Sequence, residues 1–263
     1  MSRHSLSRRQ FLTVALTLAV APGRLPAAES GARRGPYALD IGLLYSMLTF
    51  HLEGSFEEHV DRAGGRYVVH STGQGDRITS RFESRGVLRE GRWTPERTTS
   101  YFEIYGRQSR SDITYDQERR SVEYHSRGET FLMRKLRVVD DVVAMPAGLH
   151  VDDAISALLN YQDGRWTPDA QGRLRTQVVR RRQSDNEGPD DVAHSYRAEL
   201  VPLELVLTAD ADNRKPSALL DLSRFSSWAR TNKPARIVFD EGRRPTLITG
   251  PMILGSSVSI RLG

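Results

Sequence analysis

Two groups of side chains in this sequence have types and spacing that could do chemistry. The first is His150 with Asp152 and Asp153, in which an imidazole lies close to two carboxylates. General acid–base catalysis uses such groups when their surroundings shift the pKa, so a hydrolase using Asp152 or Asp153 is one hypothesis. Both aspartates also precede a helical pattern, where negative charge is favoured. We prefer this capping interpretation, and we assign no catalytic residue.

The second group is His51, Glu57 and His59, which have side chains that bind metal ions. Their spacing differs from the His-Glu-x-x-His pattern of helical zinc sites. The same residues are explained as solvated polar positions on a pair of strands. The sequence therefore predicts no metal site.

Motifs for other chemistries are missing from the sequence. It contains no Gly-x-Ser-x-Gly elbow, no phosphate-binding Gly-Lys-Ser/Thr loop and no dinucleotide-binding glycine pattern. It contains no cysteine, which excludes disulfides, thiol nucleophiles, thiolate metal sites and a lipoprotein anchor. We therefore predict a protein without a cofactor.

Two further patterns could bind ligands but have simpler explanations. The run 180–182 consists of three arginines and could bind an anionic headgroup or a glycan, but acids within 184–191 can offset its charge. Five aromatic residues fall in adjacent predicted strands, where such sets usually form core: Tyr101, Phe102, Tyr105, Tyr115 and Tyr124.

The first 28 residues have the organisation of an export signal. A paired-arginine motif, formed by Ser7, Arg8, Arg9, Phe11 and Leu12, leads into the apolar run 11–21, and small residues follow at 27 and 28. The apolar run is shorter than the ~20 residues that span a bilayer, and no later stretch is long enough. We predict a twin-arginine signal over 1–28 and a periplasmic mature protein.

Export also changes how the net charge is interpreted. The chain has 38 basic and 33 acidic residues, a net charge of +5, but four arginines and no acid lie in the predicted signal. The mature chain is close to neutral, so the basic balance gives no support for nucleic-acid binding.

The remaining chain reads as strands and turns around one helix. Residues 29–36 are small, basic and glycine-containing, which predicts a flexible tether. Alternating apolar residues then predict ten or more strands within 37–262. Residues 151–161 predict a short helix capped by Asp152, with Ala154, Ile155, Leu158 and Leu159 as its apolar stripe. The fold class is therefore mostly β: a single-domain antiparallel open or half β-barrel with one short central helix.

So short a helix cannot cover a large sheet, because ten residues span only ~15 Å. The barrel must close on itself or enclose something apolar. Residues predicted to form the core or to line such a groove are Phe102, Ile104, Tyr115, Leu158, Leu203, Leu205 and Trp228. The leading hypothesis is a non-enzymatic periplasmic protein that binds an apolar or lipid-like ligand or an envelope partner. The alternatives are a structural or assembly factor of the cell envelope and, last, a carboxylate-dependent hydrolase.

Several motifs resemble a known group of exported proteins. The helix sequence 153–158, the strand 233–238 that follows Trp228, the opening strand 37–42 and the turn 91–95 are similar to domain-of-unknown-function family 3108. This resemblance implies a β-rich fold like the open barrels of lipoprotein carriers. It implies no established activity and no catalytic residues.

Overall fold

The computed structural model describes residues 31–43, 48–130, 133–182, 191–209, 215–225, 232–252 and 255–263. The predicted export motif (Ser7, Arg8, Arg9, Phe11 and Leu12) and Trp228 lie outside these residues. Within them, no helix is long and apolar enough to cross a membrane.

The described residues form fourteen strands. They are β1 (Gly31–Leu43), β2 (Leu48–Asp61), β3 (Arg66–Gly75), β4 (Ile78–Arg89), β5 (Arg92–Ile104), β6 (Arg107–Asp116), β7 (Ser121–Glu129), β8 (Leu136–Ala144), β9 (Arg173–Arg181), β10 (Ala198–Ala209), β11 (Pro216–Leu220), β12 (Ala235–Phe239), β13 (Pro245–Pro251) and β14 (Ser257–Leu262). One α-helix, α1 (Ala154–Gln162), follows β8, and a 3₁₀ turn (Leu222–Arg224) follows β11.

All fourteen strands belong to one antiparallel sheet, in the order β8-β7-β6-β5-β4-β3-β2-β1-β14-β13-β12-β11-β10-β9. The first and last strands pair in its middle, from Tyr37 opposite Leu262 to Gly42 opposite Ser257. The free edges β8 and β9 therefore lie at the two ends of the sheet. The predicted fold class, a mostly β open barrel with one short helix, is confirmed.

Edge strand β8 contacts the residues that lead into β10, without forming a full ladder. A single parallel bridge joins Val139 of β8 to Tyr196. Beside it, Asp141 accepts hydrogen bonds from the Arg197 guanidinium at 2.9 Å and from the Ala198 backbone N–H at 2.8 Å. We call this contact between β8 and residues 196–198 the seam. It makes the barrel nearly closed.

Helix α1 lies inside the barrel, where its seven residues 155–161 are all buried. Ala157, Leu158 and Tyr161 pack in the larger apolar core, while Ile155 and Leu159 pack in a second core group with strands β2–β5. A helix enclosed on all sides has no solvent face. The single apolar stripe expected from the sequence therefore understates how much of the helix is buried.

The helix begins later than the sequence predicted, and Asp152 does not cap it. The N-cap is Asp153, whose Oδ1 accepts from the Ser156 backbone N–H at 2.7 Å while the Ser156 hydroxyl accepts from the Asp153 N–H at 3.0 Å. This reciprocal pair is a capping box. Val151 and Asp152 are extended instead, since they contact Gln177 of β9.

The predicted tether is also partly wrong, because Gly31–Pro36 form the first half of β1. These residues pair with Ser55–Val60 at the end of β2. Arg33 faces inward and Arg34 is exposed, as strand alternation requires. Basic and small residues suggested a linker, but the facing strand supplies Glu57 and Glu58 opposite the two arginines.

Candidate functional site

A cavity of about 210 Å³ lies between the start of α1, the inner faces of β4–β8, and strands β9 and β10. It is therefore next to the seam. One wall is apolar and includes Val139, Val178, Val179, Leu203 and Phe225. Apolar surface in a cavity of this size favours ligands that remove it from water.

The opposite wall is formed by small side chains that carry hydroxyl groups. Ser100, Ser109, Ser111 and Ser126 line it together with Gly128. They project from β5, β6 and β7 at inward positions two residues apart. Their small side chains leave the space that larger residues fill elsewhere in the barrel. The Ser100 and Ser111 hydroxyls hydrogen-bond each other at 2.7 Å.

The floor of the cavity contains the two aspartates that the sequence singled out. Asp152 is fully buried. Its Oδ1 accepts from Ser156 Oγ at 2.8 Å, from Asn160 Nδ2 at 3.2 Å and from His150 Nε2 at 3.1 Å. Its Oδ2 accepts from Thr176 Oγ1 at 2.6 Å.

A cation also supports the Asp152 carboxylate. A guanidinium N–H of Arg92 donates to Asp152 Oδ2 at 3.2 Å. Burying a carboxylate is tolerated when its oxygens are paired and hydrogen-bonded. Five donors from four separate parts of the chain meet that condition here. The residue therefore holds β5, β9 and α1 together.

Asp153 lies beside it and is also buried. Apart from capping α1, its Oδ2 accepts hydrogen bonds from the hydroxyls of Ser84 and Thr98, the latter at 2.5 Å. Burial raises the pKa of this carboxyl above its usual value, although its hydrogen bonds act in the opposite direction. Asp153 thus connects the start of α1 to the inner faces of β4 and β5.

The chemistry open to this pair is restricted by its contacts. Both oxygens of Asp152 and both oxygens of Asp153 already accept hydrogen bonds from protein groups. His150 contacts Asp152 and also lies 3.3 Å from the Trp93 carbonyl oxygen. The geometry thus gives the carboxylates a positioning role. The capping prediction is correct for Asp153 and wrong for Asp152.

Charged residues surround the cavity near the seam. Arg180 forms two hydrogen bonds to Glu199 at 2.7 and 2.9 Å, and Arg182 contacts the same carboxylate at 3.2 Å. The Arg181 guanidinium stacks over the Tyr196 ring at 4.6 Å. The sequence assigned the compensating acids to 184–191, mostly outside the described residues, yet Glu199 on the neighbouring strand supplies the contacts.

The three side chains that were considered as metal ligands do not converge. His51, Glu57 and His59 all lie on the outer face of β2, and eight residues of strand separate the two histidines by ~26 Å. His51 instead contacts Asp40 at 2.7 Å, and His59 contacts Glu57 at 3.4 Å. In the part of the chain that the structure describes, no three potential ligands form a metal site.

The predicted lining residues divide into two places. Tyr115 and Leu203 line the cavity. The others that are described belong to the large core, away from the cavity wall: Phe102, Ile104, Leu158 and Leu205. All six are buried.

The sequence reasoning missed the hydroxyl wall entirely. Its signal was nevertheless present, since Ser109 and Ser111 share a strand face with Ile113 and Tyr115. The sequence analysis assigned no role to these serines. In the folded barrel the same residues mark where the interior is left unfilled.

The fold and the site together define an open antiparallel β-barrel with a buried helix and a cavity at its seam. No protein-family model matches the chain, and no curated protein matches it. Three chains of known structure do. One is a beta-barrel-like protein of domain-of-unknown-function family 1849 from Brucella abortus, with TM-score 0.42 and 11% identity, covering 89% of this chain and 96% of that one. The comparisons do not support family 3108 specifically.

Proposed function

We propose that the protein is an exported, non-enzymatic binding protein that holds a small amphipathic ligand in the cavity beside the seam. The observation that carries this proposal is the pairing of an apolar wall with a hydroxyl wall around about 210 Å³ of space. The export signal over 1–28 is the basis for a periplasmic location.

The size of the cavity bounds the ligand. An apolar cavity of about 150 Å³ binds benzene, so this one has room for on the order of ten non-hydrogen atoms. A medium-length alkyl chain or one branch of a larger lipid fits that volume. Its apolar part would lie against Val178, Val179 and Leu203, and a polar group would meet Ser109 and Ser126.

The carboxylates on the floor favour binding over catalysis. A general acid or base must exchange a proton with its substrate, whereas Asp152 and Asp153 are occupied by protein donors on both oxygens. The same contacts fix the floor of the cavity before any ligand enters. A preformed pocket binds with a smaller loss of conformational entropy.

The test uses a neutral probe, 1-nonanol, titrated into the mature protein and followed by isothermal titration calorimetry. We expect saturable binding to one site. Ser109→Leu and Ser126→Leu fill the hydroxyl wall and should weaken binding by about tenfold or more, because a displaced alkyl segment loses ~0.8 kcal/mol per CH₂.

Thr114→Leu is the matched control, since Thr114 lies on β6 between inward positions and its side chain faces outward. It introduces the same leucine side chain outside the cavity and should leave the affinity unchanged. Equal weakening by Ser109→Leu and Thr114→Leu, or an absence of saturable binding in the wild type, would refute the proposal.

A further inference from the structure

A second set of buried charged residues lies near the other end of α1, away from the cavity. It comprises Arg33 on β1, Glu58 on β2 and Arg244 at the turn before β13. Glu58 is 2% exposed and Arg244 is 3% exposed, while Arg33 is partly buried. Charged side chains this deeply buried need partners.

Within the described residues, each of these three has one buried side-chain atom without a hydrogen-bond partner. Arg33 Nη1, Glu58 Oε2 and Arg244 Nη1 are all buried, and among the described residues none of these atoms has a hydrogen-bond partner. In folded proteins, buried polar atoms are almost always satisfied by protein, water or a bound group. Three unsatisfied atoms on neighbouring residues therefore leave hydrogen-bonding capacity that a bound group could use.

The surrounding charges are engaged elsewhere. Arg62 holds Asp163 through three contacts of 3.0–3.2 Å. Asp240 Oδ1 accepts the backbone N–H of Arg244 at 2.9 Å, which fixes the turn. Arg244 interacts electrostatically with both Arg33 and Glu58, so the three residues lie close together.

The electrostatics favour an anion there. Burial lowers the pKa of Arg33, and the positive charge of Arg244 lowers it further. An oxyanion beside both guanidinium groups would relieve this repulsion and accept both unused N–H groups. Arg33, Arg62 and Arg244 interact with Glu58, Asp163 and Asp240, and Arg165 adds a further positive charge beside Asp163.

A bound anion would compete with the Glu58 carboxylate for the two arginines, so a proton on Glu58 would favour anion binding. Burial raises its pKa, against the opposing effects of Arg244, Arg33 and Arg62. A protonated Glu58 would donate a hydrogen bond to the anion and remove the competing negative charge. The partial exposure of Arg33 gives a route from solvent.

We propose that Arg33 and Arg244 bind a small oxyanion, a carboxylate or a phosphate group, beside Glu58. This site is independent of the cavity proposed to hold the amphipathic ligand.

The experiment is calorimetric titration of the mature protein with inorganic phosphate and, separately, with acetate at constant ionic strength. We expect one saturable site, and the tighter of the two anions identifies the source of the oxyanion. Arg33→Gln should weaken binding by about tenfold or more, since it removes a charge-assisted hydrogen bond. Glu58→Gln should strengthen binding at pH 7, because it removes the competing carboxylate.

Arg34→Gln is the matched control: the residue is adjacent on β1 and makes the same charge change, but its side chain is exposed on the other face. It should leave the affinity unchanged. Equal weakening by both arginine variants would indicate non-specific screening and overturn the proposal. The proposal would also be overturned if neither anion bound saturably to the wild type or to Glu58→Gln. That result would indicate that water alone bridges the cluster.

An unchanged Tm of Arg33→Gln, measured by circular dichroism, shows that the barrel is intact whether or not 1-nonanol binds. The two proposals can therefore fail separately.

Discussion

Replacement of Asp153 by alanine tests whether the buried carboxylate network holds α1 inside the barrel. The substitution removes the N-cap contact to the Ser156 backbone N–H. It also removes the acceptor used by the Ser84 and Thr98 hydroxyls. The start of the helix loses its link to β4 and β5 at the same time.

The expected loss of stability follows from these contacts. Loss of an N-cap costs about 1 kcal/mol, and leaving buried hydroxyls without their acceptor costs about 1–3 kcal/mol more. The lower part of that range applies if Ser84 keeps its 3.2 Å contact with Tyr67. We therefore expect the free energy of unfolding to fall by about 2–4 kcal/mol, and Tm by roughly 4–16 °C in a domain of this size.

Urea denaturation followed by circular dichroism measures this change. The control is Asp116→Ala in the turn between β6 and β7, where the carboxylate also accepts two backbone N–H groups, those of Glu118 and Arg119. It lies at the surface, so its loss should cost less than about 1 kcal/mol. If both variants lose the same stability, or if Asp153→Ala loses none, the buried network is not what positions the helix.

The pH dependence of Asp153→Asn gives an independent check. Because burial raises the pKa of Asp153, the folded state holds this proton more tightly than the unfolded state, whose carboxyl has a pKa near ~3.9. The stabilisation is fully present below that value and is lost as the pH rises through the folded-state pKa. Asparagine has no such proton, so the variant should gain stability relative to wild type across this window. A difference that is constant with pH would contradict the assignment.

Two further predictions concern the other end of the barrel and its wall. Arg62→Met should lower the free energy of unfolding by about 1–3 kcal/mol, because it removes charge-assisted hydrogen bonds to the part-buried Asp163. Arg97→Met, at the exposed ion pair with Asp112, is the control and should change the free energy of unfolding little. Equal losses of stability in urea denaturation would argue against a role for burial. Gly54→Ala should cost about 1–3 kcal/mol, since a Cβ there would overlap the Tyr37 ring and the Thr72 carbonyl oxygen; an unchanged Tm by calorimetry would show that this contact can relax.

Local patterns in the sequence predicted the strands and the helix well. Period-two alternation in Tyr37, Leu39 and Ile41 identified the inward face of β1, and all three are buried. The capping box between Asp153 and Ser156 is also a local pattern, although we had assigned the cap to Asp152. These features depend on residues close together in the chain, so a local pattern is enough to reveal them.

Such local patterns could not show which strands pair with each other. The side chains of residues 31–36 show no pattern that predicts a strand. These residues are extended because their backbone pairs with β2. The choice between Asp152 and Asp153 as the cap was likewise decided by β9, which draws Asp152 into contact with Thr176. The local sequence is equally compatible with either aspartate as the helix N-cap.

By itself, then, the sequence determined the fold class, the short helix within 151–161 among many strands, and the scarcity of motifs for catalysis. The tertiary structure decided where the interior stays unfilled and which charges are buried. The cavity depends on serines from three strands meeting one apolar wall, and the Arg33, Glu58 and Arg244 cluster joins residues as far apart as β1 and the turn before β13. Both are set by sheet closure, which brings together residues that the chain keeps far apart.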